Sequence, residues 1–318
     1  MKNIDEIYNE LQDDNELNKT LKEARVEYKK IKKISLIIIV IVDLLILLFF
    51  RESIDSIFTL FFVIITILIT DCGLSAIVIY FTKTSKKQIE FIDKYNEKVT
   101  KKILNNFYDN VEFYPEKEMP EYIYEQVNEY EYYNIYLSDN YFEALINNKY
   151  SIQMAEVETE EKVKVYNSQN EVEREDIIIK FNGLFAKVSM EKSINSEIKI
   201  MQDGKFYLEK NKLNMDSSEF EKYFDVKSSN SIIGMQILTS DVMEELVDFE
   251  NKTKMKYDIC INNNELYLRF HSGSFGVNIE DFKNDVLDKS IIRKYFYMIN
   301  FTYNLSTKLI EVINNIEI

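Results

Sequence analysis

The chain has 318 residues, is 46% hydrophobic and carries a formal net charge of −15 at pH 7. An acidic surface of this kind repels phosphate, which excludes nucleic acid as the expected partner. A single histidine, His271, and two cysteines, Cys72 and Cys260, exclude most His-based metal cages and a disulfide framework, and they fit a reducing compartment; no cofactor or metal is expected.

Residues 1–33 carry Ile4, Leu11, Leu17, Leu21 and Tyr28 at loosely helical spacing with mixed charges between them. The pattern predicts one amphipathic helix continuing into the membrane, with a short coiled-coil contact to a partner as the alternative. Two apolar runs follow, residues 34–50 and 57–81. At 1.5 Å per residue the first covers about 25 Å, slightly short of the ~30 Å hydrocarbon core. Snorkelling by Lys32 and Lys33 extends it. The second is long enough to span with tilt. Only Arg51 to Ser56 separate them, so the segment 34–81 reads as an antiparallel transmembrane hairpin in the lipid bilayer. A signal peptide does not fit, because a charged segment precedes the first run and no small-residue cleavage site follows it. Arg25, Lys29, Lys30, Lys32 and Lys33 precede the hairpin, Lys83, Lys86 and Lys87 follow it, and the connection holds only Arg51. This bias places both flanks on the cytoplasmic side of the inner membrane.

Asp43 and Asp71 interrupt the two runs. A carboxylate near mid-bilayer costs ~2.5–3.5 kcal/mol on insertion scales. These two are therefore the candidate intramembrane site, as an ion or proton relay or as a polar contact with a partner helix. The alternative is a pair of protonated or locally hydrogen-bonded acids in spans short enough to tolerate them. Two spans alone make a poor pathway, so a relay would need oligomerisation or a partner.

Within residues 82–110, Ile89, Ile92, Tyr95, Val99 and Ile103 predict a juxtamembrane helix over 86–106. Residues 111–136 hold both prolines, Pro115 and Pro120, and a run of tyrosines, and they read as a loop and a short helix leading to a strand. From Ser151 the pattern turns to strands. Val163 and Val165 alternate, as do Ile198 and Ile200, and Asp203-Gly204 predicts a hairpin into Phe206 and Leu208. The acidic runs 156–161 and 171–176 have the carboxylates that hard cations favour. They lack the glycine and the spacing of a calcium loop and read as solvated strand or loop faces. Asp216 with Glu219, and Asp241 with Glu244, are spaced like capping boxes for helices over 219–224 and 242–251. Tyr257, Ile259 and Ile261 alternate, residues 262–264 turn, and Leu266, Leu268 and Phe270 alternate back, the clearest hairpin in the chain. The Ser-Gly-Ser-Phe-Gly run after His271 lacks the Lys and Ser/Thr of a P-loop and reads as a turn. From Asp281 the pattern is helical, with a bend near Lys289 and Ser290.

Four elements in order carry a resemblance: Phe181-Asn-Gly-Leu-Phe185, Ser218 to Val226, Ile237 to Asp241, and the Tyr257 to Phe270 hairpin. Together they resemble the uncharacterised bacterial domain-of-unknown-function family 3137, across the spans and roughly residues 90–280. The resemblance implies two adjacent membrane spans followed by a soluble α+β domain, and it implies no activity or catalytic residues. Read from the residues, Gly183 permits a bulge or a close backbone approach. Phe220 and Phe224, four apart, are expected on one helix face.

The fold expected is α+β: a transmembrane helical hairpin, a cytoplasmic domain over 111–280 with a mainly antiparallel sheet packed by helices, and a C-terminal helical segment over 281–318. The function expected is a membrane-anchored cytoplasmic binding or adaptor module with a protein partner or a small ligand. The alternatives are a subunit of a membrane transport or envelope complex, suggested by Asp43 and Asp71, and an enzyme working through paired carboxylates.

Overall fold

The computed structural model describes residues 1–50, 61, 63–70, 72–73, 85–127, 131–166, 172–202, 211–273 and 289–316. The chain divides into two compact units. The first comprises Met1–Ile7, Thr100–Phe275 and Lys289–Ile318, and the second Tyr8–Val99 and Gly276–Asp288.

The described part of the second unit includes the end of α1 (Ile4–Gln12), α2 (Asn15–Phe50) and the start of α3 (Lys86–Phe107), besides helical residues between 61 and 73. The single amphipathic helix expected over 1–33 is in fact broken after α1. The cause is local, because Asp14 caps α2 by accepting from the Leu17 N–H at 2.9 Å, a bond that an uninterrupted helix would not leave room for. That N–H, ahead of the Lys98 ammonium, holds the Asp14 carboxyl below its usual range. Lys98 meets Asp14 and Glu16, Lys94 meets Glu16, and Lys87 meets Glu23, so α2 and α3 run antiparallel. Between them Leu17, Leu21, Ala24, Phe91, Tyr95 and Val99 are buried. Ile89 is exposed and Phe91 replaces it, which turns the buried stripe of α3 away from the one expected.

The first unit is built on one nine-stranded antiparallel sheet. Its strands are β1 (Asp109–Tyr114), β2 (Ile135–Ile146), β3 (Tyr150–Tyr166), β4 (Val172–Ser189), β5 (Glu197–Gln202), β6 (Lys212–Leu213), β7 (Phe224–Ser228), β8 (Tyr257–Asn262) and β9 (Glu265–Phe270). The spatial order is β1-β2-β3-β4-β9-β8-β5-β7-β6. Side chains alternate between faces along a strand, and the register lines up one apolar rung across the sheet. That rung runs Phe113, Phe142, Met154, Ala186, Leu268, Ile259, Ile200, Val226, Leu213, and all nine are buried. The next rung, on the opposite face, runs Glu112, Glu143, Gln153, Lys187, Tyr267, Cys260, Lys199, Lys227, Lys212.

The remaining helices are α4 (Glu121–Glu125), α5 (Ser218–Glu221), α6 (Ser231–Ile237), α7 (Ser240–Thr253) and α8 (Lys289–Asn315). Helices α7 and α8 pack on each other and on the apolar face. Phe249 stacks on Phe301 at 4.1 Å, and both rings meet Tyr257 and Phe270. Helix α4 covers part of the polar face, where Met119, Ile123 and Tyr124 join Tyr141, Val157, Phe181, Phe185 and Tyr267 in a second buried cluster.

Several expectations are corrected here. Residues 109–114, at the entrance to the expected loop, form β1, whose alternation is interrupted by a bulge between Asp109 and Glu112 and by Asn110 at φ 51°. The short helix and the strand it leads to are present as α4 and β2, with β2 starting at Ile135. The acidic run 156–161 lies in β3 and residues 172–176 in β4, as the strand faces expected. The cap of α5 is Ser217, accepting from the Phe220 N–H, and not Asp216. Phe224 opens β7 instead of continuing the helix, and it stacks on Phe220 at 5.0 Å. Helix α7 begins after Thr239, whose side chain makes no capping bond. The hairpin at Asp203-Gly204 and the start of the expected tail helix, 281–288, lie outside the described residues.

Chain reversals in this glycine-poor molecule fall largely to asparagine. Asn110, Asn140, Asn147, Asn148, Asn195, Asn211 and Asn263 all have φ between 47° and 74°. Gly183 meets a different need, since a Cβ there would lie 1.8 Å from the Phe270 carbonyl oxygen. That is the close backbone approach anticipated from the sequence.

Candidate functional site

Helix α2 is long and apolar enough to cross a membrane, and it is the one candidate span among the described residues. Its apolar run is exposed along its length, with Leu36, Ile37, Val40, Ile41, Leu44, Leu45 and Leu48 all open. Asp43 sits within that run, half-buried. Of the second apolar run, residue 61 and residues 63–70 and 72–73 are described and helical. Asp71 and the connection 51–56 lie outside the described residues, so a second span is not shown.

In the first unit the register of β8 and β9 places Asp258 opposite Arg269. Both are buried, and an Arg269 guanidinium N–H donates to Asp258 Oδ2 at 2.9 Å. His271 Nε2 lies 2.9 Å from the same oxygen. Glu131 lies 3.8 Å from the guanidinium, and the Phe181 ring packs edge-on against the imidazole at 5.2 Å. The phenol of Tyr124 sits beside Arg269 and Thr159, and burial pushes its pKa up. One carboxylate oxygen thus serves two cationic or donor groups. That sharing neutralises buried charge; a histidine held for proton transfer would instead have a carboxylate of its own. Sequence reading singled out His271 as the sole histidine but had no signal for its partners, which depend on strand register.

Two open clefts of different charge lie elsewhere in the first unit. One, of about 560 Å³, is lined by Lys212, Lys222, Lys254 and Lys256 together with Glu221, Asp225 and Glu250. Lys212 pairs with Asp225 at 2.5 Å, and Glu250 accepts from the Gln202 amide at 2.5 Å. Lys222 and Lys254 both lie over the Tyr223 ring, at 5.2 and 5.6 Å. Glu221 accepts from the Met215 N–H, so all three acids have partners, and they share the cleft with four lysines and an aromatic ring. None of these lysines stood out in the sequence, because they come from three separate places: Lys212 in β6, Lys222 after α5, and Lys254 and Lys256 between α7 and β8.

The other cleft, of about 340 Å³, is lined by Glu118, Asp139, Glu156 and Glu158 with Leu137 and Asn182. Asn140 donates to Glu156 at 3.1 Å, and the Asn182 amide donates to Glu158. Burial raises the pKa of Asp139 and of Glu158. Among the described residues no group of three or more His, Cys, Asp or Glu is placed to hold a metal ion.

No curated protein matches this chain. Among solved structures, the crystal structure of the mycobacterial trehalose monomycolate transport factor A, TtfA, aligns over 65% of this chain and 92% of its own. The identity is 10% and the TM-score 0.28, too low to carry an argument. A family described as "Protein of unknown function (DUF3137)" matches residues 179–310. The match starts later than the sequence resemblance suggested, omits the spans, and continues into α8. It takes in Gly183 and its close approach, the lysine cleft and the Asp258, Arg269 and His271 cluster, and over this C-terminal portion the chain is similar to the DUF3137 family.

Proposed function

We propose that this protein is a membrane-anchored binding or adaptor module that holds its α+β unit on the cytoplasmic side of the inner membrane. The observation that carries the reading is the exposed apolar run of α2. Seventeen consecutive residues with a single acid, laid open on a helix, are stable in lipid and costly in water. The basic residues Lys29, Lys30, Lys32 and Lys33 just before it fit the cytoplasmic assignment, and the run 57–81 supplies the return span. A two-span hairpin with Asp43 and Asp71 inside it leaves room for a partner helix in a larger assembly. The lysine cleft gives the module a place to bind an acidic peptide or a small anion.

Thiol labelling of intact cells tests the topology. Cysteines introduced one at a time in place of Glu52, Lys30 and Lys86, in a Cys72→Ser background that keeps the buried Cys260, are treated with a membrane-impermeant maleimide. Glu52→Cys is expected to label, and the other two only after lysis. Labelling of all three in intact cells, or release of the protein by alkaline carbonate, would rule the reading out.

The acidic cleft favours a second reading, a carboxylate-based hydrolase. Glu156 and Glu158 project from the same side of β3 into one cavity, and burial of Glu158 moves it in the direction a general acid needs. Loss of a hydrolytic activity in Glu158→Gln with the fold intact would establish it, and an unchanged activity would exclude this pair.

A further inference from the structure

Strands β3 and β4 form a ribbon that outruns the sheet. Strand β4 is paired with β9 only over Leu184 to Ser189. Over residues 172–181 its outer edge has no partner strand among the described residues. The outer edge of β3 is guarded along the same ribbon. Asn134 accepts from the Lys162 N–H at 2.9 Å through its side chain, and Glu161, Lys162 and Lys164 put charges along that edge, the usual protection against edge pairing. The β4 edge has charges too, at Arg174, Glu175, Asp176 and Lys180, but between them Ile177, Ile178 and Ile179 are consecutive and 59%, 45% and 57% exposed. Of the flanking charges, Asp176 meets Arg174 at 3.0 Å and Lys180 meets Glu161 at 2.7 Å, both at the surface.

That order is self-complementary. Antiparallel pairing of the edge with itself about Ile178 puts Ile178 opposite Ile178, Ile177 opposite Ile179, and Asp176 opposite Lys180, twice over by symmetry. Shifting the pairing by one residue on each strand, to a centre at Ile177, sets Arg174 against Lys180 and loses the match. Lys180 is skipped where the β3–β4 register slips between Ile179 and Phe181; this ends the straight stretch of edge, and the Lys180 ammonium, which meets Glu161 of β3 at 2.7 Å, would exchange that partner for Asp176 of the second copy. We propose that this edge of β4 pairs with the same edge of a second copy of the chain, giving a two-fold dimer through strand addition.

Cysteine crosslinking of the full chain in detergent tests this. Residues directly opposite across an antiparallel pair have Cα atoms ~4.5–5.5 Å apart, within the span of a disulfide. In a Cys72→Ser background, Ile178→Cys is expected to give a covalent dimer on mild oxidation. Glu175→Cys, which faces Phe181 of the second copy, is expected to stay monomeric. Asp176→Lys is expected to weaken dimerisation about tenfold by placing like charges opposite each other at two symmetric positions, and adding Lys180→Asp restores it. A folded Ile178→Cys chain that fails to crosslink, or equal crosslinking at positions 175 and 178, would overturn the proposal, as would a double charge swap no better than the single one.

Discussion

Two neighbouring rungs of the same sheet, one residue apart on every strand, show how differently its faces are held. One rung is apolar from Phe113 to Leu213 and lies on the face packed by α7 and α8. The other runs from Glu112 and Glu143 at the β1 side, through Lys187 and Tyr267, to Lys199, Lys227 and Lys212 at the β6 side. The first is held by burial, which is non-directional and scales with area. The second is held by pairs, such as Lys187 with Glu265 at 2.6 Å and Lys212 with Asp225, and each pair depends on its partner being present. On that face the adjacent rung carries Arg269 and Asp258. The contrast teaches that loss on the apolar face is irreparable by a second change of the same kind, whereas loss on the polar face can be undone by removing the other member of the pair.

The largest effect is expected at Phe301→Ala. It empties the centre of the ring cluster with Phe249, Tyr257 and Phe270 and should cost about 4 kcal/mol in urea unfolding followed by tyrosine fluorescence. No second truncation among those rings should recover it. Next comes Arg269→Met, which strands Asp258 in a buried position and should cost about 3 kcal/mol. Adding Asp258→Leu should return most of that loss; a double variant less stable than the single would break the comparison. Lys187→Met, part-exposed with its Glu265 partner, should cost about 0.5–1 kcal/mol, and less at high salt.

The smallest effect tests the acidic cleft through pH. Burial raises the Asp139 pKa above its ordinary 3.8, so the folded state disfavours the ionised form. The cost is absent below the unfolded value, grows as pH rises through it, and is complete above the folded value. Asp139→Asn should therefore stabilise the protein at pH 7 and leave it unchanged at pH 3, read as the shift in thermal midpoint at the two pH values. A gain of the same size at both would show that ionisation of this carboxyl is not the cause.

Much of the α+β fold was legible in the residues because local pattern and tertiary environment agree there. The β8–β9 hairpin announces itself by clean alternation around Asn262 to Asn264, the long apolar run of α2 by its length, and the crowding at Gly183 by a glycine between phenylalanines. What stayed hidden has local causes too. Strand β1 carries a bulge and a left-handed asparagine. Helix α6 is short and is announced mainly by Asn230, which caps it from outside by accepting from the N–H groups of Ile232 and Ile233. The candidate site was the least legible part. Asp258, Arg269 and His271 meet through register, and Lys212, Lys222 and the pair Lys254 and Lys256 converge from three parts of the chain, so no spacing along it records either whole group.

The asparagines at left-handed positions carry one further consequence. A non-glycine residue in that conformation pays a steric penalty of ~1–2 kcal/mol, which asparagine only partly recovers through its short amide. Seven such sites therefore amount to undrawn evolutionary headroom. Asn→Gly at any of them relaxes the folded chain while loosening the unfolded one, and where the first effect exceeds the second, robustness is gained; at Asn147, Asn148, Asn195, Asn211 and Asn263 the change falls outside the strands. A lineage under heat or mutational load could harden this fold from its turns inward.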